Sequence, residues 1–316
     1  MQQITNTILM IRPINFRMNK QTLVNNFYQK ELEGVTDTEI QKRALKEFDT
    51  LVEKLQSVGV IVIVVEDTKV PDTPDSIFPN NWISFHQNGN TAIYPMFAKN
   101  RRFERREDIF DIIEGKGYVI KNIIDYSSAE DENVFLEGTG SMVLDRVNRK
   151  AYCALSPRSN EDLFIEFCED FEFTPVMFHA YQTVENKREL IYHTNVMMAI
   201  TENLAIICMD TIDDEKERKN VLDHLRSDRK EIIHITEEQV NHFAGNMLQV
   251  SSNNENRYVI MSESAYKFLT KDQIQKIELE SEIIYSDVTI IETIGGGSVR
   301  CMMGEVFPPE SPEGGL

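Results

Sequence analysis

The sequence predicts an α/β protein built from five similar units that close into a ring. Strand-like segments alternate with helix-like segments along the chain, which is typical of α/β folds. A polar or small stretch followed by a short apolar strand recurs five times, and its aligned positions are Trp82, Met142, Val196, Met247 and Met302. Repeats of this length indicate a solenoid or a propeller. We expect a closed ring, because neither end of the chain carries a polar capping unit.

A long helix is predicted over residues 39–58. Ile40, Ala44, Phe48 and Leu51 recur at helical spacing, and Thr36 precedes them as a candidate N-cap. Shorter helices are predicted over residues 107–114, 161–171, 215–226, 237–243 and 271–277. Two capping boxes are predicted, formed by Thr236 with Gln239 and by Thr270 with Gln273.

Short apolar segments between these helices predict strands. They are NTILMI, VIVIVV, WISFH, TAIYPM, FLEG, SMVLD, KAYCAL, VMMAI, LAIICM, MLQVS, RYVIMS, EIIYS and VTIIET. Most of the five repeated segments lead through a turn into a second strand and then a helix. This order predicts a strand–strand–helix–strand unit, repeated with pseudo-fivefold symmetry.

Composition limits the function classes. The 316 residues carry a net charge of −19, which argues against nucleic acid and anionic membrane surfaces as partners. No secretory leader or membrane span is expected, and four scattered cysteines favour a reducing cytoplasm. No metal-binding motif is present in the sequence, so neither a metal nor a cofactor is expected. We predict one catalytic domain over residues 1–307 and a flexible tail over 308–316, with a homodimer possible.

Cys301 is the first candidate catalytic residue. It follows three glycines and a serine in the segment IETIGGGSVRCMMGE, where the backbone can turn tightly or approach a ligand closely. A free cysteine is most often a small buried hydrophobe. The Gly-rich approach and the preceding Arg300 favour a nucleophile instead, with the cysteine placed after a strand.

His193 and Glu137 are the expected partners of the nucleophile, because a catalytic thiol needs a base or acid nearby. His193 is predicted at the same point of its repeat as Cys301, and Asn195 is predicted to share its strand face. Glu137 occupies the corresponding place in another repeat. A carboxylate after an apolar run is costly to bury without a partner, so it is expected to orient His193.

With these residues assembled, the chain resembles the guanidine-modifying superfamily, which includes arginine deiminases, dimethylarginine hydrolases, succinylarginine dihydrolases and amidinotransferases. The motifs LEGTGS, ALSPRSNED, YHTN and GGGSVRCM carry the resemblance, in that order and across nearly the whole chain. The chain is most similar to the amidinotransferase-like hydrolases associated with citrulline use. The resemblance implies a five-bladed α/β propeller, the pentein fold, with a Cys–His–acid set in its central channel.

The resemblance also implies the substrate contacts. Arg158 would bind the α-carboxylate of an amino-acid substrate, and Asp75 its α-amino group. Phe78 and Asn246 would line the channel. No cofactor or metal would be needed, because the mechanism uses a covalent cysteine adduct.

Two departures from the family pattern bear on the substrate. Asn81 and Asn195 stand where related enzymes keep carboxylates that hold a guanidinium. A neutral ureido group would suit two amides better, since an amide can donate to a carbonyl and accept from an N–H. We therefore expect hydrolysis of citrulline to ornithine, ammonia and CO2. Arginine deiminase, dimethylarginine hydrolase or amidinotransferase activity is the alternative, and a non-catalytic binding protein is a remote one.

Overall fold

Five three-stranded sheets form the frame of the computed structural model, which describes residues 1–308. The strands are β1 (Thr7–Arg12), β2 (Ile61–Glu66), β3 (Ile83–Phe85), β4 (Asn90–Ile93), β5 (Asn122–Asp125), β6 (Met142–Asp145), β7 (Lys150–Ala154), β8 (Thr174–Phe178), β9 (Tyr181–Val184), β10 (Lys187–Leu190), β11 (Met198–Ile200), β12 (Leu204–Ile207), β13 (Glu231–His234), β14 (Leu248–Ser251), β15 (Arg257–Ser262), β16 (Glu282–Ser286) and β17 (Gly304–Val306).

Helices connect the strands within and between the sheets. They are α1 (Asp37–Ser57), α2 (Asp108–Gly115), α3 (Gly138–Ser141), α4 (Glu161–Asp170), α5 (Glu215–Ser227), α6 (Glu237–Asn241), α7 (Glu263–Phe268), α8 (Lys271–Glu278) and α9 (Thr289–Gly295). Single 3-10 turns lie at Pro79–Asn81, Lys99–Glu104, Ser127–Glu132, Thr194–Val196, Met209–Thr211 and Val299–Met302. The predicted tail falls almost wholly on residues 309–316, outside the described part of the chain.

All five sheets have the same topology. Their strand orders are β3-β4-β5, β6-β7-β8, β11-β12-β13, β14-β15-β16 and β17-β1-β2. In each sheet the first two strands are antiparallel and the last two are parallel, with a helix in the parallel connection. The fifth sheet joins the two ends of the described chain, because β17 pairs with β1. The mixed α/β class predicted from the sequence is confirmed.

Helix α1 shows how the sequence specifies these elements. Thr36 caps its N-terminus by accepting a hydrogen bond from the backbone N–H of Glu39. The apolar positions Ile40, Ala44 and Phe48 are buried against the sheet. The two predicted capping boxes are also present, at α6 and α8.

One predicted strand is wrong. The segment VTIIET belongs to helix α9, although β-branched residues favour strands. Ile290, Ile291 and Ile294 are buried in the helix, and Gly296 ends it with a positive φ of 63°. Here burial of an apolar helix face overrides intrinsic propensity. The segment FLEG contributes only an isolated bridge between Leu136 and Ser159.

The third strands of three sheets, β5, β8 and β13, were not predicted from the sequence. Strand β5 is largely exposed and β13 is exposed at both ends, so neither shows the alternation that marks a half-buried strand. The parallel pairing of these strands with β4 and β12 comes from tertiary structure. No helix in the described residues is long and apolar enough to cross a membrane.

Candidate active site

One small cavity collects most of the side chains that the sequence singled out. We call it the front cavity. Its lining comprises Thr22, Asn26, Asp75, Phe78, Asn81, Arg101, Arg158, Tyr192, His193, Gly295, Gly297 and Cys301. Its volume, counted as room for the centre of a water molecule, is about 10 Å³. That is roughly the space of one water, so the site is enclosed.

The front cavity is covered by residues 13–36, the stretch between β1 and α1, which we call the covering segment. Asn19 Nδ2 donates to Asp75 Oδ2 at 2.7 Å, and Gln29 Nε2 donates to the carbonyl of Ile294 at 3.1 Å. Hydrogen bonds therefore fix this segment on both sides of the cavity. An amino acid is larger than the cavity, so binding one requires the closed arrangement of the lining to open.

Cys301 is placed by the glycine run that follows α9. Gly296 adopts the left-handed conformation at the helix end, and a Cβ on Gly297 would stand 3.1 Å from the Phe78 ring. Cys301 then lies in the 3-10 turn Val299–Met302, with its N–H bonded to the carbonyl of Ser298 at 3.0 Å. The prediction that a strand precedes this cysteine is wrong, because the preceding element is helix α9.

His193 and Glu137 form a fully buried pair beside Cys301. Glu137 Oε2 lies 2.8 Å from His193 Nε2, and Glu137 Oε1 accepts from the N–H of Phe97 at 2.9 Å. Since Nε2 faces a carboxylate, it carries the proton, and Nδ1 is left unprotonated. A Cβ on Gly140 would stand 2.7 Å from His193 Nδ1 and 2.4 Å from Asn81 Nδ2. Only glycine leaves this gap open.

The charges of the pair are set by burial and by Arg158. Burial lowers the pKa of His193 to about 4, although Glu137 acts in the opposite direction. Burial would raise the pKa of Glu137, but Arg158 and the hydrogen bond with His193 hold it well below its usual range. At neutral pH the pair is a neutral imidazole and a carboxylate. His193 can therefore accept a proton before it has to donate one.

Arg158 sits between two aromatic rings next to the pair. Its guanidinium carbon lies 4.8 Å from the centre of the Tyr192 ring and 5.7 Å from that of Phe97. Arg158 Nη2 donates to the carbonyl of Thr22 at 3.1 Å, and Nε donates to Asn25 Oδ1 at 3.0 Å. In this closed arrangement the covering segment occupies the donors that the sequence assigns to a substrate carboxylate.

Asp75, Asn81 and Arg101 form a second polar group on the wall. Arg101 Nη1 donates to Asn81 Oδ1 at 2.9 Å, and Arg101 Nε lies 3.9 Å from Asp75 Oδ2. Two further donors of Arg101 bind Glu104 at 2.9 Å each. Burial raises the pKa of Asp75 against the charge of Arg101. The other carboxylate oxygen of Asp75, Oδ1, is buried and has no hydrogen-bond partner in the described residues.

Asn195 and Asn246 contact Cys301 from outside the front cavity. Their Nδ2 atoms lie 3.4 Å and 3.3 Å from Cys301 Sγ. Asn195 also lines a second cavity of about 30 Å³, which we call the rear cavity, together with Arg146, Arg300 and others. The neighbouring Arg300 points away from the thiol and binds Glu305 at 2.8 Å.

The register of the repeats differs from the prediction in one respect. Cys301 and Asn195 each lie three residues before the next strand, β17 and β11, whereas His193 lies five before. Asn195 is therefore the counterpart of Cys301. Glu137 also lies five residues before its strand, β6, so it is the counterpart of His193. His193 and Asn195 belong to a cap residue and a 3-10 turn, not to a strand.

Arg101 and Tyr192 are cavity residues that the sequence reasoning missed. Arg101 lies in a run of basic and acidic residues that reads as a solvated surface. Tyr192 donates its hydroxyl to the carbonyl of Gly296 at 2.6 Å, and its ring packs at a tilt against the His193 ring, 4.5 Å between centres. The sequence offered one indication that Tyr192 lies in the site, which is its position immediately before the predicted His193.

Comparison with known families identifies a match over almost the whole described chain. The family model for eukaryotic N,N dimethylarginine dimethylhydrolases matches residues 12–308. No curated protein matches in a direct sequence comparison. Among the described residues, no group of three or more His, Cys, Asp or Glu side chains is placed to hold a metal ion.

Solved structures share the fold at low sequence identity. ArgZ, an arginine dihydrolase from the ornithine-ammonia cycle in Cyanobacteria, superposes with a TM-score of 0.72 at 17 % identity, over 97 % of this chain and 41 % of ArgZ. The N-terminal domain of an ArgZ variant covalently bound to a reaction intermediate gives 0.72 at 18 % identity, over 97 % and 99 % of the two chains. A dimethylarginine dimethylaminohydrolase variant in an adduct with S-methyl-L-thiocitrulline gives 0.60 at 16 %, over 96 % and 99 %. The chain thus spans about two fifths of full-length ArgZ.

Proposed function

We propose a hydrolase activity from one premise: this chain belongs to the N,N-dimethylarginine dimethylhydrolase family, within the guanidine-modifying superfamily. The substrate is an arginine-like amino acid, and the bond cleaved is a C–N bond of its guanidino or ureido group. One observation carries the proposal. Cys301 shares an enclosed cavity with His193, whose far nitrogen is held by the buried Glu137.

The geometry supports a two-step covalent mechanism. The Cys301 thiol gives its proton to the neutral His193 at Nδ1, and the sulfur attacks the central carbon of the head group. Protonated His193, stabilised by Glu137, then gives that proton to the departing nitrogen. In the second step His193 removes a proton from water, which attacks the adduct carbon. The C–S bond breaks, and His193 returns that proton to the sulfur. With citrulline, ammonia leaves in the first step and the carbamate released in the second step loses CO2 to give ornithine.

A ureido group is the head group we favour, and Asn81 supports it. Its oxygen accepts from Arg101, which can only donate, so its nitrogen must face the gap beside His193. One N–H of that nitrogen binds Asn80 Oδ1 at 3.0 Å, and the other is available. An available N–H suits a ureido carbonyl, whereas a guanidinium offers only further N–H donors. Citrulline is the simplest such substrate, giving ornithine, ammonia and CO2.

A second candidate is hydrolysis of arginine, and the unpaired Asp75 Oδ1 favours it. A buried carboxylate oxygen can accept a guanidinium N–H or an α-ammonium N–H. If it accepts a guanidinium, one site would hydrolyse arginine to citrulline and citrulline to ornithine. ArgZ, which shares the fold, is named an arginine dihydrolase.

The test is incubation with citrulline, arginine, agmatine and dimethylarginine, with ornithine, citrulline and ammonia measured over time. Citrulline alone should yield ornithine and ammonia, and the C301A variant should yield neither. Release of citrulline from arginine without ornithine would contradict the ureido assignment. An active C301A variant would contradict the mechanism itself. Transfer of the amidino group from arginine to another amine in the mixture, with release of ornithine but not of ammonia, would indicate an amidinotransferase.

We propose further that the five sheets are blades of one closed propeller, forming a single catalytic domain. Contacts between β17 and β3, β6 and β11, and β11 and β14 support the ring, as do those of α3 with β3 and of the Val299–Met302 turn with β15. The four cysteines are free thiols, which supports a cytoplasmic location. The homodimer stays a prediction, to be tested by sedimentation.

A further inference from the structure

We propose that Asn246 and Asn195 stabilise the thiolate of Cys301, as donors to sulfur rather than as ligands of the substrate head group. This inference rests on the proposed function, in which Cys301 is the nucleophile. It changes the role expected for both residues from the sequence. Both are catalytic in the sense that they touch the reacting atom.

The contacts place two amide nitrogens around one sulfur. Asn246 Nδ2 lies 3.3 Å and Asn195 Nδ2 3.4 Å from Cys301 Sγ, and all three side chains are nearly inaccessible to solvent. Neither asparagine lines the front cavity, whereas Cys301 does. The sulfur therefore has the cavity on one side and the two amides on another.

The orientation of the Asn246 amide is fixed by its other neighbours. Its Oδ1 accepts from the backbone N–H of Arg300 at 3.0 Å, and its Nδ2 donates to the carbonyl of Asn195, also at 3.0 Å. A backbone N–H can only donate and a carbonyl can only accept, so the amide cannot be reversed without losing both bonds. Its second N–H is left for Cys301.

The local backbone is shaped to bring this amide to the sulfur. A Cβ on Gly245 would stand 2.4 Å from the carbonyl oxygen of Val196, so only glycine allows the two turns to approach this closely. Phe243 adopts a positive φ of 61°, and its carbonyl accepts from Asn246 N–H at 2.8 Å. A strained residue beside a required glycine is typical of a functional turn.

Preorganised N–H donors favour the charged form of an acceptor in a water-poor site. The thiol proton passes to His193 Nδ1, and the negative charge left on sulfur is met by two amide donors. Arg300 does not supply this stabilisation, because its guanidinium binds Glu305 and the carbonyl of Met303. The thiolate then needs no positive charge on the substrate, so a neutral ureido substrate can be attacked.

The test measures thiolate formation without any substrate. Alkylation of Cys301 by iodoacetamide is followed by peptide mass spectrometry from pH 5 to 10, and each rate is normalised to its plateau at high pH. This normalisation removes the effect of opening of the covering segment on the alkylation rate. The C301A variant identifies the signal, and N122D, an exposed Asn→Asp change on β5, is the matched control.

We expect N246D to lower the normalised rate at pH 7 by about tenfold or more, because a donor to the thiolate is lost. The carboxylate still accepts from Arg300 N–H, although it loses the bond to the Asn195 carbonyl. N195D should act in the same direction, and N122D should match the wild type. If N246D and N195D both keep the wild-type pH profile, the inference is wrong. A different outcome is that both variants shift the pH profile but the wild-type protein turns over none of the tested substrates. That result would overturn the proposed function and leave the inference standing.

Discussion

Arg101 donates to the side-chain oxygen of Asn81 at 2.9 Å, and this bond decides which end of the amide faces the catalytic histidine. Arg101 thereby orients the Asn81 amide in the wall of the front cavity, which Cys301 also lines.

The substitution N81D should shift preference toward arginine. A carboxylate would accept from Arg101 with one oxygen and present the other to the head group, where it attracts a guanidinium and repels a ureido carbonyl. We expect the ratio of kcat/KM for arginine over citrulline to rise by about 10- to 100-fold. Steady-state kinetics on both substrates, with N122D as control, measure it. An unchanged ratio would show that Asn81 does not contribute to recognition of the head group.

The substitution E137Q should reduce kcat by about 10³-fold, because His193 loses the carboxylate that stabilises its protonated form. Arg158 also loses its contact with Glu137, 3.4 Å away. The control is E130Q, which removes a buried carboxylate that binds Arg105 outside the cavity. E130Q should lower stability but keep kcat, and an equal loss of kcat in both variants would contradict a specific role for Glu137.

Acid should destabilise the fold in part through His193. Its folded-state pKa, about 4, is lower than its ordinary value of 6.5. The unfolded chain therefore binds the proton more readily, and the stabilisation is complete above pH 6.5 and lost as pH falls to 4. By pH 5 the loss should reach about 2 kcal/mol. Urea unfolding at pH 7.5 and pH 5 should show a smaller pH effect in H193Q, and an equal effect would refute the assignment.

The substitution G140A should impair catalysis while the protein still folds. The new Cβ would meet Asn81 Nδ2 and His193 Nδ1, and both groups would have to shift. Displacement of catalytic groups by about 1 Å costs up to 10²-fold in rate, so we expect a loss of that order in kcat/KM. G115A is the control, because nothing lies within 4 Å of a Cβ there. Equal activity of the two variants would argue against the tight gap.

Much of this arrangement was predictable from local sequence. The capping boxes, the long helix and the first two strands of most units follow from patterns that depend on near neighbours. The third strands β5, β8 and β13 do not, since they are defined by the strands they pair with. Helix α9 was misjudged because the β-branched residues of VTIIET favour a strand locally, and only burial on one helix face reverses that preference.

The residues of the candidate site also differ in whether local sequence or the tertiary fold identifies them. Cys301, His193 and Glu137 stand in recognisable motifs, so they could be chosen before their positions were known. Arg101 could not be chosen in this way, because a charged run in the sequence does not reveal that one of its arginines is buried against Asp75 and Asn81. The roles of Asn195 and Asn246 depend on which side of the sulfur they occupy, and that is a property of the closed fold.

The hold of the covering segment on Arg158 has a consequence for selectivity. Thr22 and Asn25 already accept hydrogen bonds from its guanidinium. A substrate would bind Arg158 only if its own oxygens replaced these two acceptors. A molecule with a carboxylate can make that exchange with little net loss of hydrogen bonds. A decarboxylated analogue such as agmatine has no oxygens to offer in return, so Arg158 would lose its bonds to Thr22 and Asn25 and keep only its contact with Glu137. The enzyme would thus reject amines by competition with part of its own chain, before their head groups reach the sulfur.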